Sequence, residues 1–291
     1  MELDLAALRT FAAVIDEGTF EAAARTLHIT PSAVSQRIKA LEQQVGRVLV
    51  QRVKPARATD SGRVVLTLAR QVAHLEQETM ASLNPDTAQT STLPLVVNAD
   101  SLSTWMIPAL ARLAPEHRVL FDLHREDEYH STALLREGTV MAAVTSISEP
   151  VQGCTVETLG SMRYRALCSR EFADHWFPDG PTPEALAVAP MLDFDRKDEL
   201  QARFLRGFTR RRVHPPRHFV PGSSAFSDAV HYGLGWGLLP ELHTGSDHGL
   251  VELDPARPID VPLYWQRWKL ESPLLTALTS AVREGAREAL R

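Results

Sequence analysis

From Leu5 to Ile15 the apolar residues Leu5, Leu8, Phe11, Ala12 and Ile15 recur mostly at three and four, the period of a helix with one buried face. Gly18 stops that helix, and Thr19 is placed to cap a second, short one over Phe20–Leu27. Thr30 followed by Pro31 supplies an N-cap and a first-turn proline for a third helix, which runs to about Val45. Within it Val34, Ile38, Leu41 and Val45 turn inward, while Ser32, Ser35, Gln36, Arg37 and Lys39 fall largely on other faces. The pattern predicts helix, turn, helix with a polar and basic outer face.

After Gly46, VLVQR and VKPARAT read as two short strands around a turn holding Lys54, Pro55 and Arg57, a wing beside the helices. Ser61 to Leu83 carries a helical stripe of Val65, Leu68, Val72, Leu75 and Thr79, roughly 34 Å long at the standard rise. Such a stripe outside a globular core calls for a partner. Asn84–Thr92 lacks periodicity and reads as a hinge. Beyond it LPLVVNA, a helix over Thr104–Leu113, VLFDLH, a helix over Ser131–Arg136 and MAAVTS form a βαβαβ series, the signature of a parallel sheet. MLDFD, RHFVPG, WGLLP and LYWQRWKL suggest a second α/β lobe before a last helix near Leu274–Leu290. The expected division is residues 1–60 as winged helix-turn-helix, 61–83 as dimerising helix, 84–92 as hinge and 93–291 as a two-lobed α/β domain. One lobe takes about 93–163 with 268–291, the other about 164–267.

Charge separates the two ends. Residues 18–70 hold nine Lys and Arg against Glu21, Glu42 and Asp60, whereas acids outnumber bases over residues 91–291 and the whole chain carries −5. A basic module attached to an acidic one fits a head for nucleic acid and a body for something else. The acidic start MELDLAALRT lacks the basic region of a signal peptide, and no apolar run reaches a membrane span, which points to the cytoplasm and away from membranes. Cys154 and Cys168 lack metal-site spacing and read as structural thiols, so no metal and no cofactor are expected. Nor is an enzyme: there is no GxSxG, HExxH or phosphate loop, and GLGWGLLP lacks the context of a dinucleotide fingerprint.

The segment LRTFAAVIDEGTFEAAARTLHITPSAVSQRIKALEQQVGRVLVQR resembles the head of LysR-type transcriptional regulators almost position for position. The resemblance implies a periplasmic-binding-protein-like effector domain, a homodimer or homotetramer, and double-stranded promoter DNA as partner, with RNA polymerase a further contact it leaves open. VNADSLSTWMIPAL, REDEYHSTALLREG, FDRKDELQARFL and YWQRWKLES resemble the ArgP/LysG branch, which implies lysine or arginine as effector and a basic amino-acid exporter gene as target. An origin-binding inhibitor of replication, or a response to a different metabolite, remains compatible with the family.

On the third helix Arg can donate two bonds to guanine and Gln can pair with adenine, so Ser32, Ser35, Gln36, Arg37 and Lys39 are the candidate base-reading set. Thr30, Lys54 and Arg57 are candidates for the phosphate backbone, and Pro31 and Arg52 belong to the same candidate DNA-binding set. In the acidic domain Asp100, Ser101, Ser103 and Thr104 stand where the first strand gives way to a helix, and hydroxyls with free amides there would hold a carboxylate; helix capping is the plainer role. Glu126, Asp127 and Glu128 end the second strand, either as a solvated run or as partners of a cationic ligand. Thr145 and Ser146 end the third strand, Asp193 and Asp195 end a strand of the other lobe, and Ser223 and Ser224 open a helix after Gly222. Each of these would complete the cleft or serve as a cap or turn.

Overall fold

The computed structural model describes residues 3–84, 90–113, 118–126, 128–209, 213–244 and 249–291, with the side chains of 128–130 outside that description. Three helices open the chain: α1 (Leu5–Asp16), α2 (Phe20–Thr26) and α3 (Pro31–Val45). The side chains of Asp4, Thr19 and Thr30 each accept a first-turn amide, and Gly46 closes α3 in the left-handed conformation. The wing is a two-residue antiparallel pair, β1 (Val50–Gln51) with β2 (Arg57–Ala58), so Arg57 lies on a strand and not in the turn. Glu42 anchors it, its Oε1 accepting from the amides of Leu49 at 2.8 Å and Val50 at 3.2 Å.

The long helix α4 (Asp60–Leu83) begins one residue before Ser61 because Thr59 caps it, accepting from Gly62 N at 2.9 Å. Its first turns belong to the head: Val65, Leu66 and Ala69 join Leu8, Phe11, Val14, Val34, Ile38 and Leu41 in one core. Gly62 lies so close to the wing that a Cβ there would sit 2.2 Å from the Leu49 carbonyl oxygen.

The larger domain is built on one seven-stranded sheet. In chain order its elements are β3 (Ser91–Val97), α5 (Ala99–Ser101), a π turn (Leu102–Met106), α6 (Ile107–Leu113), β4 (Val119–Arg125), α7 (Glu128–Arg136), β5 (Ala142–Thr145) and β6 (Cys154–Cys168). There follow α8 (Arg170–Trp176), α9 (Pro183–Val188), β7 (Met191–Asp193), α10 (Leu200–Phe208), β8 (Arg217–Phe219), α11 (Ser223–His231), β9 (Gly237–Pro240), α12 (Glu241–Thr244), β10 (Val251–Glu252), β11 (Ile259–Trp268) and α13 (Pro273–Ala289). The sheet order is β10-β6-β11-β5-β3-β4 with β9 beside β6. Strands β4, β3 and β5 are parallel, as the alternating pattern predicts, while β11 runs antiparallel to both β5 and β6. The fifteen-residue β6 has no counterpart among the expected elements, and it and β11 contain the expected lobe boundaries. Trp236, Trp265 and Trp268 are core residues, and Cys168 is buried with its thiol pushed up to about 12 by desolvation. Desolvation also raises the half-buried Cys154 to about 11, so neither thiol is a ready nucleophile.

The second half of α4 docks on this domain. His74 is buried, with Nε2 3.0 Å from the hydroxyl of Ser272, the N-cap of α13. That hydroxyl donates to Glu78 Oε1 at 2.9 Å, so its oxygen is left to accept from the histidine N–H. Leu274 N donates to the same carboxylate oxygen at 3.0 Å. Burial pushes His74 below its ordinary 6.5, outweighing the opposite pull of Glu78. The undocked ring therefore binds a proton more readily than the docked one: docking is fully stabilised above about pH 6.5 and weakens as pH falls below it. Amide exchange at Leu274 and Leu275, corrected for intrinsic rates, is expected to quicken between about pH 7.5 and 5.5. Unchanged protection would remove His74 from the junction's energetics.

Candidate functional site

On the head, Thr30, Pro31, Ser32, Gln36 and Lys39 are exposed and Ser35 is half-buried along α3. Thr30 is committed locally, accepting from Ala33 N at 3.2 Å and lying 2.9 Å from the Ser32 hydroxyl. Arg37 departs from the expected outer face. It is half-buried, and its guanidinium reaches back to α1 to donate to Thr10 Oγ1 at 3.3 Å, so part of the group is engaged within the head. Arg52 stacks over the Phe20 ring at 5.2 Å, fastening the wing to α2, and Lys54 and Arg57 are exposed beside it. Gln36 is thus exposed on α3 with Ser32 and Lys39, one turn before and nearly one turn after it. Gln36→Ala is expected to cost about 1–3 kcal/mol on the cognate site and to relax specificity, whereas Arg57→Ala weakens all sequences alike. A gel-shift series over variant sites checks both.

In the larger domain a cavity of about 770 Å³ opens between the carboxyl ends of β3, β4 and β5 and the elements β7, α10 and α11. Its size suits a small metabolite. Asp100, Glu126, Ser146, Asp195 and Ser223 all line it. Asp100 ties three elements together: Tyr164 Oη on β6 donates to one carboxylate oxygen and Ser223 Oγ on α11 to the other, each at 2.8 Å. Asp195 shapes the adjoining loop, accepting from Lys197 N at 2.7 Å and Asp198 N at 3.1 Å.

The structure places the other expected residues elsewhere. The helix after β3 starts at Ala99, capped by Asn98 Oδ1 on Ser101 N, and not at Thr104. Ser103 and Thr104 therefore fall one turn inside it, where their hydroxyls donate to the Asp100 carbonyl at 3.2 and 2.6 Å, and Thr104 faces a smaller depression with Arg112 and Glu288. Ser101 is buried away from the cavity wall, its amide already used by Asn98. Thr145 is buried and accepts from Ile147 N, and Ser224 is exposed outside the cavity. Asp193 is buried on β7, paired with Arg217 of β8 at 2.9 Å, and desolvation raises its carboxyl. Asp127 lies outside the described residues. Glu128 is the first residue of α7, and its side chain lies outside them too.

Residues 5–63 match the family model of the bacterial regulatory helix-turn-helix protein, lysR family, and residues 87–287 match that of the LysR substrate binding domain. The chain belongs to the LysR family. It is a DNA-binding transcriptional regulator of LysR type, a family that regulates and does not catalyse. It is 45% identical over 291 residues to the lysine export transcriptional regulatory protein LysG of Corynebacterium glutamicum, covering 98% of both chains. The solved structure of ArgP from Mycobacterium tuberculosis superposes with a TM-score of 0.93 at 46% identity, over 100% of this chain and 99% of that one. The full-length LysG of Corynebacterium glutamicum with bound effector Arg superposes with a TM-score of 0.85 at 43% identity, over 99% of each. Among the described residues no helix is long and apolar enough to cross a membrane.

The sequence reading misses several residues of the cavity wall. Tyr164 lies on β6, and Arg125, Asp198, Gln201 and Arg203 also line the cavity. Gln201 occupies the same face of α10 as Phe204 and Leu205, so its spacing resembles core; a polar residue on an apolar face was the available signal.

Proposed function

We propose that this regulator senses lysine or arginine in the cleft around Asp100 and controls a basic amino-acid exporter gene, acting on promoter DNA in the cytoplasm as a homodimer or homotetramer. The observation that carries this reading is a ligand-sized cavity walled by the carboxylates of Asp100, Glu126, Asp195 and Asp198, in a fold whose relative is solved with Arg as its effector. Rim guanidinium groups of Arg125 and Arg203 complement a carboxylate, so the cleft offers both signs of charge that a basic amino acid presents. Asp100 bridges α5, β6 and α11, and a ligand ammonium competing for it would reset how the cleft walls meet.

A short path leads from there to the DNA head. Helix α7 starts beside Glu126 and ends at Arg136, whose carbonyl faces Thr67 of α4 at 3.4 Å. Gly138 lies so near that a Cβ would stand 2.8 Å from Thr67 Oγ1. Arg70 of α4 donates to the Glu137 carbonyl at 3.4 Å and pairs with Asp16 of α1. Movement of α7 would thereby reach both the long helix and the head, changing the spacing of paired heads and the DNA bend. RNA polymerase is the partner such a change would serve. DNase I footprinting upstream of the controlled gene is expected to shift on addition of lysine or arginine and not of norleucine; a footprint indifferent to both basic amino acids would oppose the reading.

A further inference from the structure

We propose that Asp198 and Gln201, at the start of α10, form the subsite for the distal cation of the effector, the ε-ammonium of lysine or the guanidinium of arginine, and so determine specificity. This assignment rests on the cleft being a basic amino-acid site. Its starting point is Gln201, 1% exposed in the cavity wall, with its Oε1 buried and without a hydrogen-bond partner. A buried amide oxygen left unpaired is costly, and a donor on a ligand would remove that cost.

Carboxylates gather at the same place, in a cavity wall that Lys197, Arg203 and Arg206 also line. Asp198 accepts from Phe194 N at 3.0 Å and Leu200 N at 2.9 Å, and the Gln201 side chain donates to the same carboxylate, which ties the two residues together. Burial raises the Asp198 carboxyl above the usual range, and the Asp100 charge adds to that rise. Asp193, one strand away, likewise keeps a buried oxygen without a partner, and its carboxyl is raised by desolvation, with Asp198 and Asp195 contributing against the pull of Arg217. Carboxylates gathered this way are stabilised by an incoming cation.

The two acidic environments of the cleft differ in what they have left to give. Both oxygens of Asp100 already accept a hydroxyl, from Tyr164 and from Ser223. Asp198 likewise carries a backbone amide on each oxygen, but beside it Gln201 keeps an unspent buried acceptor, where an ammonium with three donors or a planar guanidinium with five finds a partner next to a carboxylate. The α-amino and α-carboxylate groups, common to every amino acid, then fall to Asp100 and to the rim, and the deeper pair reads what is peculiar to lysine and arginine.

The test is calorimetric titration of the full chain with lysine, arginine, norleucine and citrulline. Norleucine and citrulline keep the α-groups and lack the distal charge. The wild-type chain is expected to favour lysine over norleucine and arginine over citrulline by about 100-fold or more. Gln201→Met, close in length without the acceptor, and Asp198→Asn, which keeps an acceptor for one backbone amide, are each expected to cut that preference about tenfold or more, with norleucine affinity unchanged within about threefold. Equal loss of charged and uncharged ligands in both variants would overturn the assignment, since the pair would then hold the common groups or merely support the wall. Unaltered preference in folded variants, checked by their melting curves, would overturn it as well. A wild-type chain that binds no basic amino acid would instead defeat the functional reading beneath it.

Discussion

Val64→Glu with Leu68→Glu is expected to dissociate the native assembly and to weaken promoter binding by about 10²–10⁴-fold. Both residues lie on α4 outside the head core, Val64 73% and Leu68 39% exposed, and the row continues at helical spacing through the half-buried Val72 and Leu75. An apolar stripe along a 24-residue helix that its own domains leave uncovered is the natural seam for a second copy. The neighbouring Val65, Leu66 and Ala69 face the head core, so charges at Val64 and Leu68 spare the fold of the monomer. The magnitude follows from avidity: two heads held together see the second half-site at a high effective concentration, and single heads do not. Light scattering and a gel-shift titration on the same samples measure both effects. A variant that keeps the wild-type mass would place the interface elsewhere.

Trp265→Ala is expected to destabilise the effector domain by about 3–5 kcal/mol. The ring is fully buried on β11, where the strand is paired on one side with β5 and on the other with β6. Its indole N–H donates to Thr279 Oγ1 on α13 at 3.2 Å, so the residue joins the sheet to the helix that receives α4. Truncation removes the apolar contact and this bond and leaves a cavity that a rigid sheet cannot close. Chemical denaturation followed by tryptophan fluorescence, against the wild-type chain, gives the difference. A loss below about 1 kcal/mol would mean that the sheet and α13 collapse around the gap.

The head was legible in the sequence because its signals are local. Threonine caps at positions 19 and 30, a proline in the first turn, glycine terminators and the Val34, Ile38, Leu41 spacing each act within one turn of helix. The bond from Arg37 to Thr10 was not legible for the complementary reason, since Thr10 lies 27 residues away on another helix. The βαβαβ start of the effector domain was equally readable, but the crossing strand β6 was not: only part of its length is buried, and Gly160 interrupts it beside a register shift. Of the residues that strand ends drew attention to, Asp100, Glu126, Ser146, Asp195 and Ser223 line the cavity. A five-residue error in the start of one helix was enough to take Ser103 and Thr104 from its mouth into its body. Gln201 and Asp198 gain their meaning from the packing of α10 against the cleft, which spacing along the chain does not encode.

Titration of the full chain with each of the twenty amino acids, on protein that retains DNA binding, tests the central claim most directly. Saturable heat with lysine or arginine, and none with neutral or acidic amino acids over the same range, is the predicted result. Binding of neither basic amino acid at millimolar concentration, or equal binding of neutral ones, would contradict a cleft built to sense a basic amino acid.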